Sequence, residues 1–558
     1  MHKVFTFLGL CLYSCFLYAQ APNHVPGELL LQFQPNSDVT LWTRNKLEKK
    51  TQPAYSCIQA FVPVASALNI WKIQFDPICI DETQLLNLLR QDPDVALAQF
   101  NHYVELRGNT PNDPLFPQQW QWYNQGQNGG NRGLDIGLQQ AWDSTTGGVT
   151  TRGDSIVVAI IDTGTDTDHE DLRPNLWRNT QEIPNNRIDD DRNGYIDDFR
   201  GWNVWRFNDD VSDDLNGNGH GTGIAGIIGA KGDNKIGISG VNWNVKLMTI
   251  GWGLGSTSEE IVLRGFNYIY TQRKLYNETG GKNGAYVVAI NASWGIPRLR
   301  SADYPIWCPF FDSLGKQGIL TINAAGKELE NTEESGDMPS GCPSEYLIVV
   351  TNIDGRGKLR QGYGPNTVDL AAPAQGILST RLREGFREFS GTSFAAPQVA
   401  GAIALLYSSP CVQLADLAQQ SPAEAALLAR RLILDGVEPI ADLRGKVVTG
   451  GYLRADKSLR LLSAYCYTEA QNSPQLLAHP NPFHEQLLVP ISSTQAIENA
   501  TLEVFNLQGQ RMYSQPINIP ANFPGLVEID ANSWPQGMYI LRLRWGGKDM
   551  VVQKVVKI

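Results

Sequence analysis

Three short segments of the chain carry side chains that together could cleave an acyl bond. Ser393 stands among small residues in the run GTSFAAP, directly before an apolar, helix-forming stretch. A serine hydroxyl is a poor nucleophile at its free pKa, so it needs a histidine base within hydrogen-bond reach and a third group that orients the histidine. The segment around Ser393 therefore predicts a nucleophile, provided that both partners exist elsewhere in the chain.

Candidates for both partners precede Ser393. Asp162 ends a run of Ile and Val that indicates a buried strand, and His220 lies between two glycines at the start of a second small-residue helix. The only other histidine between residues 109 and 466 is His169, to which we assign a structural role in the loop after the strand. The sequence thus predicts Asp162 as the orienting group, His220 as the base and Ser393 as the nucleophile.

The three motifs and their order Asp, His, Ser resemble the subtilisin-like serine proteases. This order differs from those of the chymotrypsin-like and α/β-hydrolase arrangements. Further segments match the family pattern, namely DHEDL at 168–172, INASWG at 290–295 and AAP at 371–373. The resemblance covers roughly residues 110–465. It implies a doubly wound, mostly parallel α/β sheet and the hydrolysis of peptide bonds through an acyl-enzyme.

The hydrophobic pattern supports the same fold class. Short apolar runs that are predicted to form strands alternate with amphipathic helices. This alternation is typical of a parallel sheet covered on both faces. In such sheets ligands bind beyond the carboxyl ends of the strands, where Asp162 is expected to lie. The predicted strands are residues 156–161, 245–250, 286–291, 319–323 and 346–351, and the clearest helix runs from 258 to about 275.

The resemblance also implies a surface that binds the substrate backbone. The family pattern places an extended segment at Ser293, Trp294 and Gly295. We expect an extended peptide to pair with it in the manner of an added strand, which favours unfolded segments and loops as substrates.

The expected oxyanion donor breaks the family pattern. Subtilisin-like proteases usually present an asparagine amide in the context Ala-Ala-Gly-Asn, but here Lys327 follows Ala-Ala-Gly. Loss of one oxyanion donor typically lowers turnover by about 10²–10³-fold. Three interpretations remain: Lys327 donates directly, another amide such as Asn323 or Asn331 serves, or turnover is weak. We favour retained but reduced activity.

An acidic insertion between the Asp and His motifs predicts a calcium loop. Oxygen-bearing side chains alternate as in an EF-hand, Gly194 stands at the sixth position, and Arg200 replaces the usual bidentate glutamate, so the loop is abbreviated. A solvated acidic loop is the alternative, although closely spaced carboxylates repel one another without a cation. The candidate ligands are Asp189, Asp191, Asn193, Tyr195 through its carbonyl, Asp197 and Asp198.

The N-terminal part of the chain divides into two segments. Residues 1–20 have a short basic start and an apolar run, which is the anatomy of a signal peptide. Residues 21–108 combine a strand at 27–33, a helix at 82–90 and a strand at 95–104 in an α+β pattern. By the resemblance this segment is an inhibitory prodomain, removed near residues 106–112; a permanently attached domain is the alternative.

The C-terminal part changes to short strands. After the peptidase domain at 109–466 and a linker at 467–478, residues 479–558 show an alternating pattern typical of an all-β sandwich. The segments at 479–483, 504–509 and 536–539 resemble the sorting domain of bacterial type IX secretion substrates. The resemblance implies export by that machinery to the medium or the outer cell surface; a substrate-binding β-module is the alternative.

Composition agrees with an exported protein. The net charge is −11 and no block of lysine or arginine occurs, so we expect no nucleic-acid partner. No stretch after the signal peptide is apolar enough to predict a membrane span. Beyond the first 20 residues the cysteines fall into regional pairs, which an oxidising compartment would join, although free thiols remain the alternative. The pairs are Cys57 with Cys79, Cys308 with Cys342, and Cys411 with Cys466.

Two classes of function follow from these patterns. The first is a secreted, calcium-supported serine endopeptidase that acts on polypeptides and is inhibited by its own prodomain. The second is a surface protein that keeps the fold for binding only, and Lys327 is its support.

Overall fold

The computed structural model describes most of the chain. The chain divides into two compact units, residues 1–107 and 108–558. The expected signal peptide lies outside the described residues, as do residues 103–108 at the expected processing junction. The described residues are 24–50, 52–102, 109–212, 219–252, 258–383, 385–471, 475–476, 478, 483, 485–493, 495–519, 525–546 and 548–557.

The first unit is an α+β fold, as its sequence pattern predicts. Alternate residues of its first strand, Leu29, Leu31 and Phe33, are buried, because one sheet face is covered by helical side chains such as Leu85 and Leu89. Its strands are β1 (His24–Phe33), β2 (Ile58–Ala65), β3 (Ile70–Phe75) and β4 (Val95–His102), and its helices are α1 (Val39–Thr43) and α2 (Glu82–Arg90). The antiparallel sheet has the order β2-β3-β1-β4.

The second unit begins with a large α/β region. Its strands are β5 (Ile156–Asp162), β6 (Gly201–Asn203), β7 (Lys246–Gly251), β8 (Tyr286–Ala292), β9 (Ile296–Pro297), β10 (Leu320–Ala324), β11 (Asp337–Met338), β12 (Leu347–Ile353), β13 (Leu370–Pro373), β14 (Ile377–Arg381), β15 (Gly385–Phe389), β16 (Glu438–Pro439) and β17 (Gly451–Tyr452). A nine-stranded sheet has the order β16-β17-β13-β12-β10-β8-β5-β7-β6. All its pairs are parallel except β16 with β17. This confirms the predicted fold class.

Helices cover the sheet, so strands such as β5 and β8 are buried along their whole length. The helices of this region are α3 (Leu138–Trp142), α4 (His220–Gly229), α5 (Glu259–Thr279), α6 (Cys308–Lys316), α7 (Thr332–Ser335), α8 (Ala396–Tyr407), α9 (Val412–Gln420), α10 (Pro422–Asp435) and α11 (Ala455–Gln471). Helix α5 ends at Thr279, four residues later than expected, and the next residue, Gly280, adopts a left-handed conformation with φ 60°.

The strand order predicts a ligand-binding crevice beside β5. This strand pairs with β7 on one side and with β8 on the other, while β6 and β10 lie further out in opposite directions. Connections therefore diverge at β5, and crevices form at such switch points beyond the carboxyl ends of the strands. Asp162 ends β5 at this edge.

The C-terminal part of the second unit is all-β, as predicted. Its strands are β18 (Gln475–Leu476), β19 (Gln486–Ser492), β20 (Ile497–Asn506), β21 (Arg511–Ile519), β22 (Gly525–Asp530), β23 (Gly537–Trp545) and β24 (Lys548–Lys557). They form two sheets, β18-β19-β22 and β21-β20-β23-β24, whose apolar residues share one core. Residues 467–471, expected as linker, continue α11. On α11, Lys457 forms ion pairs with Glu438 and with Glu528 of β22.

Covalent and membrane-related features complete the description. Disulfide bonds join Cys57 with Cys79, Cys308 with Cys342, and Cys411 with Cys466, which confirms the regional pairs. Among the described residues no single helix has the length and hydropathy to cross a bilayer; only the bent pair Thr392–Tyr407 and Val412–Gln420 meets both criteria together.

The loop after β5 is held by a buried histidine and a buried carboxylate. The Nδ1 atom of His169 accepts a hydrogen bond from the Asp171 N–H, so Nε2 carries the proton and donates to the carbonyl oxygen of Gly385 at 3.1 Å. The carboxylate of Asp171 accepts from the Asn234 side chain and the Ile238 N–H. Both residues are fully buried, which agrees with a structural role for His169.

Burial of Asp171 makes stability depend on pH. Burial raises the pKa of Asp171 to about 7, with smaller contributions from the negative charges of Asp113 and Glu170. An unfolded aspartate has a pKa of about 4, so between about pH 4 and 7 the folded state holds more protons than the unfolded state, and stability falls as pH rises.

We expect Asp171→Asn to remove this pH dependence. The parent's free energy of unfolding, relative to that of Asp171→Asn, should fall as pH rises from about 4 to 7, by about 1.4 kcal/mol per unit of pKa shift. Denaturant unfolding in an inactive Ser393→Ala background would measure the difference at each pH without self-digestion. Parallel curves for the two proteins would contradict the prediction.

Candidate active site

Asp162 and His220 form a hydrogen-bonded pair at the carboxyl edge of the sheet. Nδ1 of His220 lies 2.9 Å from Oδ1 and 3.0 Å from Oδ2 of Asp162. The Thr163 N–H donates to the same carboxylate at 2.8 Å, and Asp162 is only 1% exposed. Because a carboxylate accepts hydrogen bonds, Nδ1 carries the proton and Nε2 is the basic nitrogen of the neutral ring. The pair therefore has the chemistry of a general base and its orienting group.

The approach of α4 to β5 requires glycine at position 221. A Cβ added at Gly221 would overlap the carbonyl oxygen of Gly164 and lie 3.1 Å from Cβ of Asp162. Any side chain there would push the first turn of α4 away from the strand. The glycine that follows His220 is thus a condition for the contact between the imidazole and the carboxylate.

Ser393 lies in a 3-10 turn directly before α8, close to the Asp162–His220 pair. The ring of the next residue, Phe394, packs edge-on against the His220 ring with a centroid distance of 5.3 Å. The hydroxyl of Ser393 is 3.3 Å from the carbonyl oxygen of Ser293, and the Ser293 hydroxyl donates to the carbonyl oxygen of Ser393 at 2.7 Å. The fold therefore brings the three predicted residues to one edge of the sheet.

The segment after β8 has one edge bonded to the protein and another facing outward. Asn323 donates through Nδ2 to the carbonyl oxygens of Ala292 and Trp294, both at 2.8 Å. Gly295 is exposed. Because adjacent residues of an extended chain direct their backbone groups to opposite sides, Ser293 and Gly295 share the edge opposite to Trp294.

The loop of Lys327 is tied to the loop of the serine. Nε2 of Gln361 donates to the carbonyl oxygen of Lys327 at 2.8 Å, and its Oε1 accepts the Thr392 N–H at 2.6 Å. The Thr392 hydroxyl donates to the carbonyl oxygen of Ala325 at 2.8 Å. The side chain of Lys327 is exposed. Gln361 thus sets the distance between the expected oxyanion loop and the Ser393 peptide.

Both alternative amides have other partners. Both Nδ2 bonds of Asn323 go to the carbonyls after β8, and its Oδ1 faces the Ser340 hydroxyl at 3.0 Å. Asn331 caps α7 by accepting the Glu333 N–H, and its Nδ2 donates to Glu334. Asn323 therefore has no amide hydrogen left to donate to a substrate oxyanion, whereas one Nδ2 hydrogen of Asn331 is not used by these contacts.

The acidic insertion brings three carboxylates together. Oxygen atoms of Glu182, Asp189 and Asp191 lie within 4.8 Å of one another. Burial raises the pKa of both Glu182 and Asp191, and repulsion from neighbouring carboxylates adds to the shift. Gly194 makes the expected sharp turn with φ 94°. Oxygen ligands at this spacing suit a calcium ion, which would remove the repulsion.

The other predicted metal ligands have different surroundings. Oδ1 of Asn193 accepts the Tyr195 N–H, and the carboxylate of Asp197 accepts the N–H groups of Asn186 and Arg187. Burial raises the pKa of Asp198 to about 7. The side chains that donate to Asp198 are Asn179, Asn193, Tyr268 and Gln272.

Sequence reasoning missed two residues of this region. Glu182 precedes the alternating oxygens of the insertion by seven positions, so the EF-hand spacing gave no sign of it, although it is an acidic residue just before the loop. Gln361 belongs to no motif, and only its two contacts in the fold reveal its position between Lys327 and Thr392.

Comparisons with known proteins agree with the geometry. The subtilase family model matches residues 153–419, a range that contains Asp162, His220 and Ser393. A model of the secretion system C-terminal sorting domain matches residues 478–558. These two matches cover the α/β region and the C-terminal all-β region separately.

Three curated relatives show how far the similarity extends. The major intracellular serine protease of Bacillus subtilis is 31% identical over 294 residues, which are 52% of this chain and 80% of the relative. The extracellular basic protease of Dichelobacter nodosus is 28% identical, with 58% of this chain and 52% of the relative covered. The extracellular protease of Xanthomonas campestris is 25% identical, with 59% and 55% covered. The chain spans about half the length of the latter two.

The protein is therefore identified by two independent parts of its chain. The Bacillus subtilis relative is 31% identical over 80% of its own length, and the sorting-domain match confirms the type IX resemblance and export to the medium or cell surface. The chain belongs to the subtilase family of serine proteases and carries a C-terminal secretion sorting domain.

Proposed function

We propose that this protein is a secreted endopeptidase that works through Asp162, His220 and Ser393. The observation that carries the proposal is the contact of His220 Nδ1 with both oxygens of Asp162, which leaves Nε2 as the base beside the Ser393 segment. Ser393 Oγ attacks the scissile carbonyl while Nε2 takes its proton, and the carboxylate stabilises the imidazolium. The proton then passes to the leaving amine, and water releases the acyl group by the reverse sequence.

Substrate binding and oxyanion stabilisation use the segments beside Ser393. Ser293 and Gly295 pair with an extended peptide, while Trp294 stays bonded to Asn323. The oxyanion takes hydrogen bonds from the Ser393 N–H and from the Lys327 ammonium. The anchored carbonyl of Lys327 supports this role, because it holds the loop close to Thr392.

We also assign roles to the other parts of the chain. The first unit acts as an inhibitory prodomain that is removed during maturation. The sorting domain delivers the protein to the type IX machinery and is the part that this machinery recognises. Polypeptides that present an extended segment are the substrates, because pairing at Ser293 and Gly295 requires an unpaired backbone.

A calcium ion supports the α/β region in this proposal. Glu182, Asp189 and Asp191 form the centre of the site. Asn193, the carbonyl of Tyr195, Asp197 and Asp198 complete the proposed ligand set, directly or through water. The role is structural, because binding only to the folded state adds RT ln(1 + [L]/Kd) to its stability.

Ser393→Ala should abolish both peptidase activity and removal of the prodomain. Without the nucleophile, we expect kcat to fall by about 10⁴-fold or more. Digestion of casein and the size of the purified chain would measure the two effects. Ser390→Ala is the matched control, since within the described part of the chain this exposed hydroxyl accepts the Gly376 N–H and has no role in the proposed mechanism. A fully processed Ser393→Ala protein, purified without other proteases, would rule out self-maturation.

Lys327→Ala should lower kcat by about 10²-fold with little change in KM, because an oxyanion contact strengthens mainly in the transition state. Lys327→Asn should retain or raise activity, since an amide avoids placing an ammonium beside the imidazolium. Steady-state kinetics on a peptide substrate would measure both variants. A kcat within about twofold of the parent for Lys327→Ala would remove the direct role, and an inactive parent would favour the binding protein.

Chelation should lower the thermal midpoint by several degrees, because an ion at 100 times its Kd contributes about 2.7 kcal/mol. Asp189→Asn should lower the midpoint in calcium and reduce the effect of chelator. Asp190→Asn, in the same loop but outside the carboxylate cluster, is the matched control. Calorimetry on the inactive Ser393→Ala protein would give the midpoints. An unchanged midpoint in excess chelator, with no metal found by elemental analysis, would contradict the site.

A further inference from the structure

A buried carboxylate beside the substrate segment has no ion-pair partner within the described part of the chain. Asp337 of β11 is 6% exposed. The Ser340 hydroxyl donates to its Oδ2, and the Gly326 N–H donates to the same carboxylate. Arg300 lines the cavity of about 280 Å³ beside Asp337, but its guanidinium donates to the carbonyl oxygen of Glu334 at 3.1 Å. A buried carboxylate without a cation is costly, so Asp337 needs an explanation.

Asp337 lies between two glycines from different loops. Its strand pairs with β9, where Asp337 is opposite Pro297. Oδ1 of Asp337 lies 3.6 Å from the position that a Cβ would occupy at Gly295, and 3.6 Å from the corresponding position at Gly326. The carboxylate therefore forms the base of a slot whose walls are the peptides of these two glycines.

The slot opens next to the nucleophile. One wall continues from Ser293, which exchanges hydrogen bonds with Ser393. The other wall continues from Ala325, whose carbonyl oxygen accepts the Thr392 hydroxyl. A substrate residue whose carbonyl carbon lies at Ser393 thus has its side chain between the two walls.

Glycine at both positions adds no side chain to the walls of the slot. A Cβ at Gly295 would come within 2.8 Å of the carbonyl oxygen of Met338, and a Cβ at Gly326 would lie 3.3 Å from Cγ2 of Thr332. Flat peptide walls contact an unbranched aliphatic stem well, and a carboxylate at the end favours a positive charge on that stem.

We propose that this slot takes the side chain on the acyl side of the scissile bond, and that Asp337 selects arginine or lysine there. The inference rests on the peptidase function proposed above and names its substrate class. A basic side chain supplies the charge that Asp337 lacks. An apolar side chain would leave the carboxylate desolvated and unpaired, so the same residue also disfavours the wrong substrate.

The surroundings of Asp337 orient it toward the slot. The Ser340 Oγ lies between Oδ2 of Asp337 and Oδ1 of Asn323, and its single proton can serve only one of them at a time. When Asp337 is ionised, Ser340 donates to it and Oδ1 stays directed at the glycines. Asn323 also holds the carbonyl of Trp294, so this network joins the base of the slot to the substrate segment.

The preference should depend on pH. Burial raises the pKa of Asp337 to about 6, opposed by the hydrogen bonds from Ser340 and Gly326, and the negative charge of Glu330 adds to the increase. Below pH 6 the carboxyl group is neutral and does not attract a cation. The ratio of kcat/KM for a basic over an apolar substrate should therefore rise from pH 5 to 7.5, while effects of His220 cancel in the ratio.

The test compares two peptides that differ only in arginine or leucine before the scissile bond. We expect the parent to prefer arginine, and Asp337→Asn to lower the arginine-to-leucine ratio of kcat/KM by about 10²-fold, because a buried cation loses its partner. Activity on the leucine peptide should rise, because an apolar side chain in the slot no longer leaves a charge unpaired. In Asp337→Asn the ratio should no longer change with pH. Glu330→Gln is the matched control, a carboxylate of the neighbouring loop outside the slot, and it should leave the ratio almost unchanged.

Each outcome separates this inference from the peptidase proposal. A parent that cleaves neither peptide contradicts the peptidase function. A parent that cleaves both with no preference for arginine, or an Asp337→Asn ratio within about twofold of the parent, overturns the role of Asp337. An equal effect of Glu330→Gln would assign the preference to diffuse negative charge instead. If Asp337→Asn does not fold, inhibition of the parent by the cation benzamidine provides the test. Benzamidine should inhibit the parent competitively, more strongly at pH 7.5 than at pH 5. No inhibition would overturn the inference.

Discussion

The hydrogen bond between Asp162 and His220 is the constraint on which the rest of the site depends. Asp162 is at the end of a strand buried on both faces, so its charge must be satisfied by donors inside the protein. His220 supplies one donor and the Thr163 N–H another. This requires the first turn of α4 to touch β5, and only glycine at position 221 permits that approach. The buried charge of Asp162 thereby fixes the position of α4 against β5 and the tautomer of His220.

The nucleophile is placed by hydrogen bonds from segments that are distant in sequence. Ser293 follows β8, Ala325 follows β10, and Gln361 lies between β12 and β13; all bond to residues 392 or 393. Each such bond adds only about 1 kcal/mol to stability. Together these hydrogen bonds fix the position of Ser393, because its peptide cannot move without breaking several of them at once.

The sequence predicted those parts of the molecule that depend on local pattern. Strand positions in the α/β region agree within two residues, because continuous apolar runs can only be buried. In β23 the alternation holds at Tyr539, Leu541 and Leu543 but ends at Trp545, which is 37% exposed at the strand terminus. The prediction weakens where the chain leaves regular structure, since exposure there depends on neighbours that periodicity does not identify.

Side chains whose partners come from distant loops could not be predicted in the same way. The EF-hand spacing identified Asp189 and Asp191 but not Glu182, which completes their cluster. The spacing placed Asp197 at a ligand position but gave no sign that its carboxylate also accepts backbone N–H groups of the same loop. Asp337 belongs to no motif. Its inferred role depends on the position of its carboxylate between Gly295 and Gly326, which belong to different loops.

The buried carboxylates differ in how completely the protein satisfies them, and this difference separates structural from functional groups. Asp198 accepts from four side chains and is fully buried, so donors of the protein satisfy most of its charge. Asp171 is likewise closed off from solvent. Asp337 has one hydroxyl and one backbone N–H, and its 6% exposed fraction is its only access to solvent. An incompletely satisfied buried charge is retained at a cost in stability. We therefore infer that the substrate supplies the partner that the Asp337 carboxylate lacks.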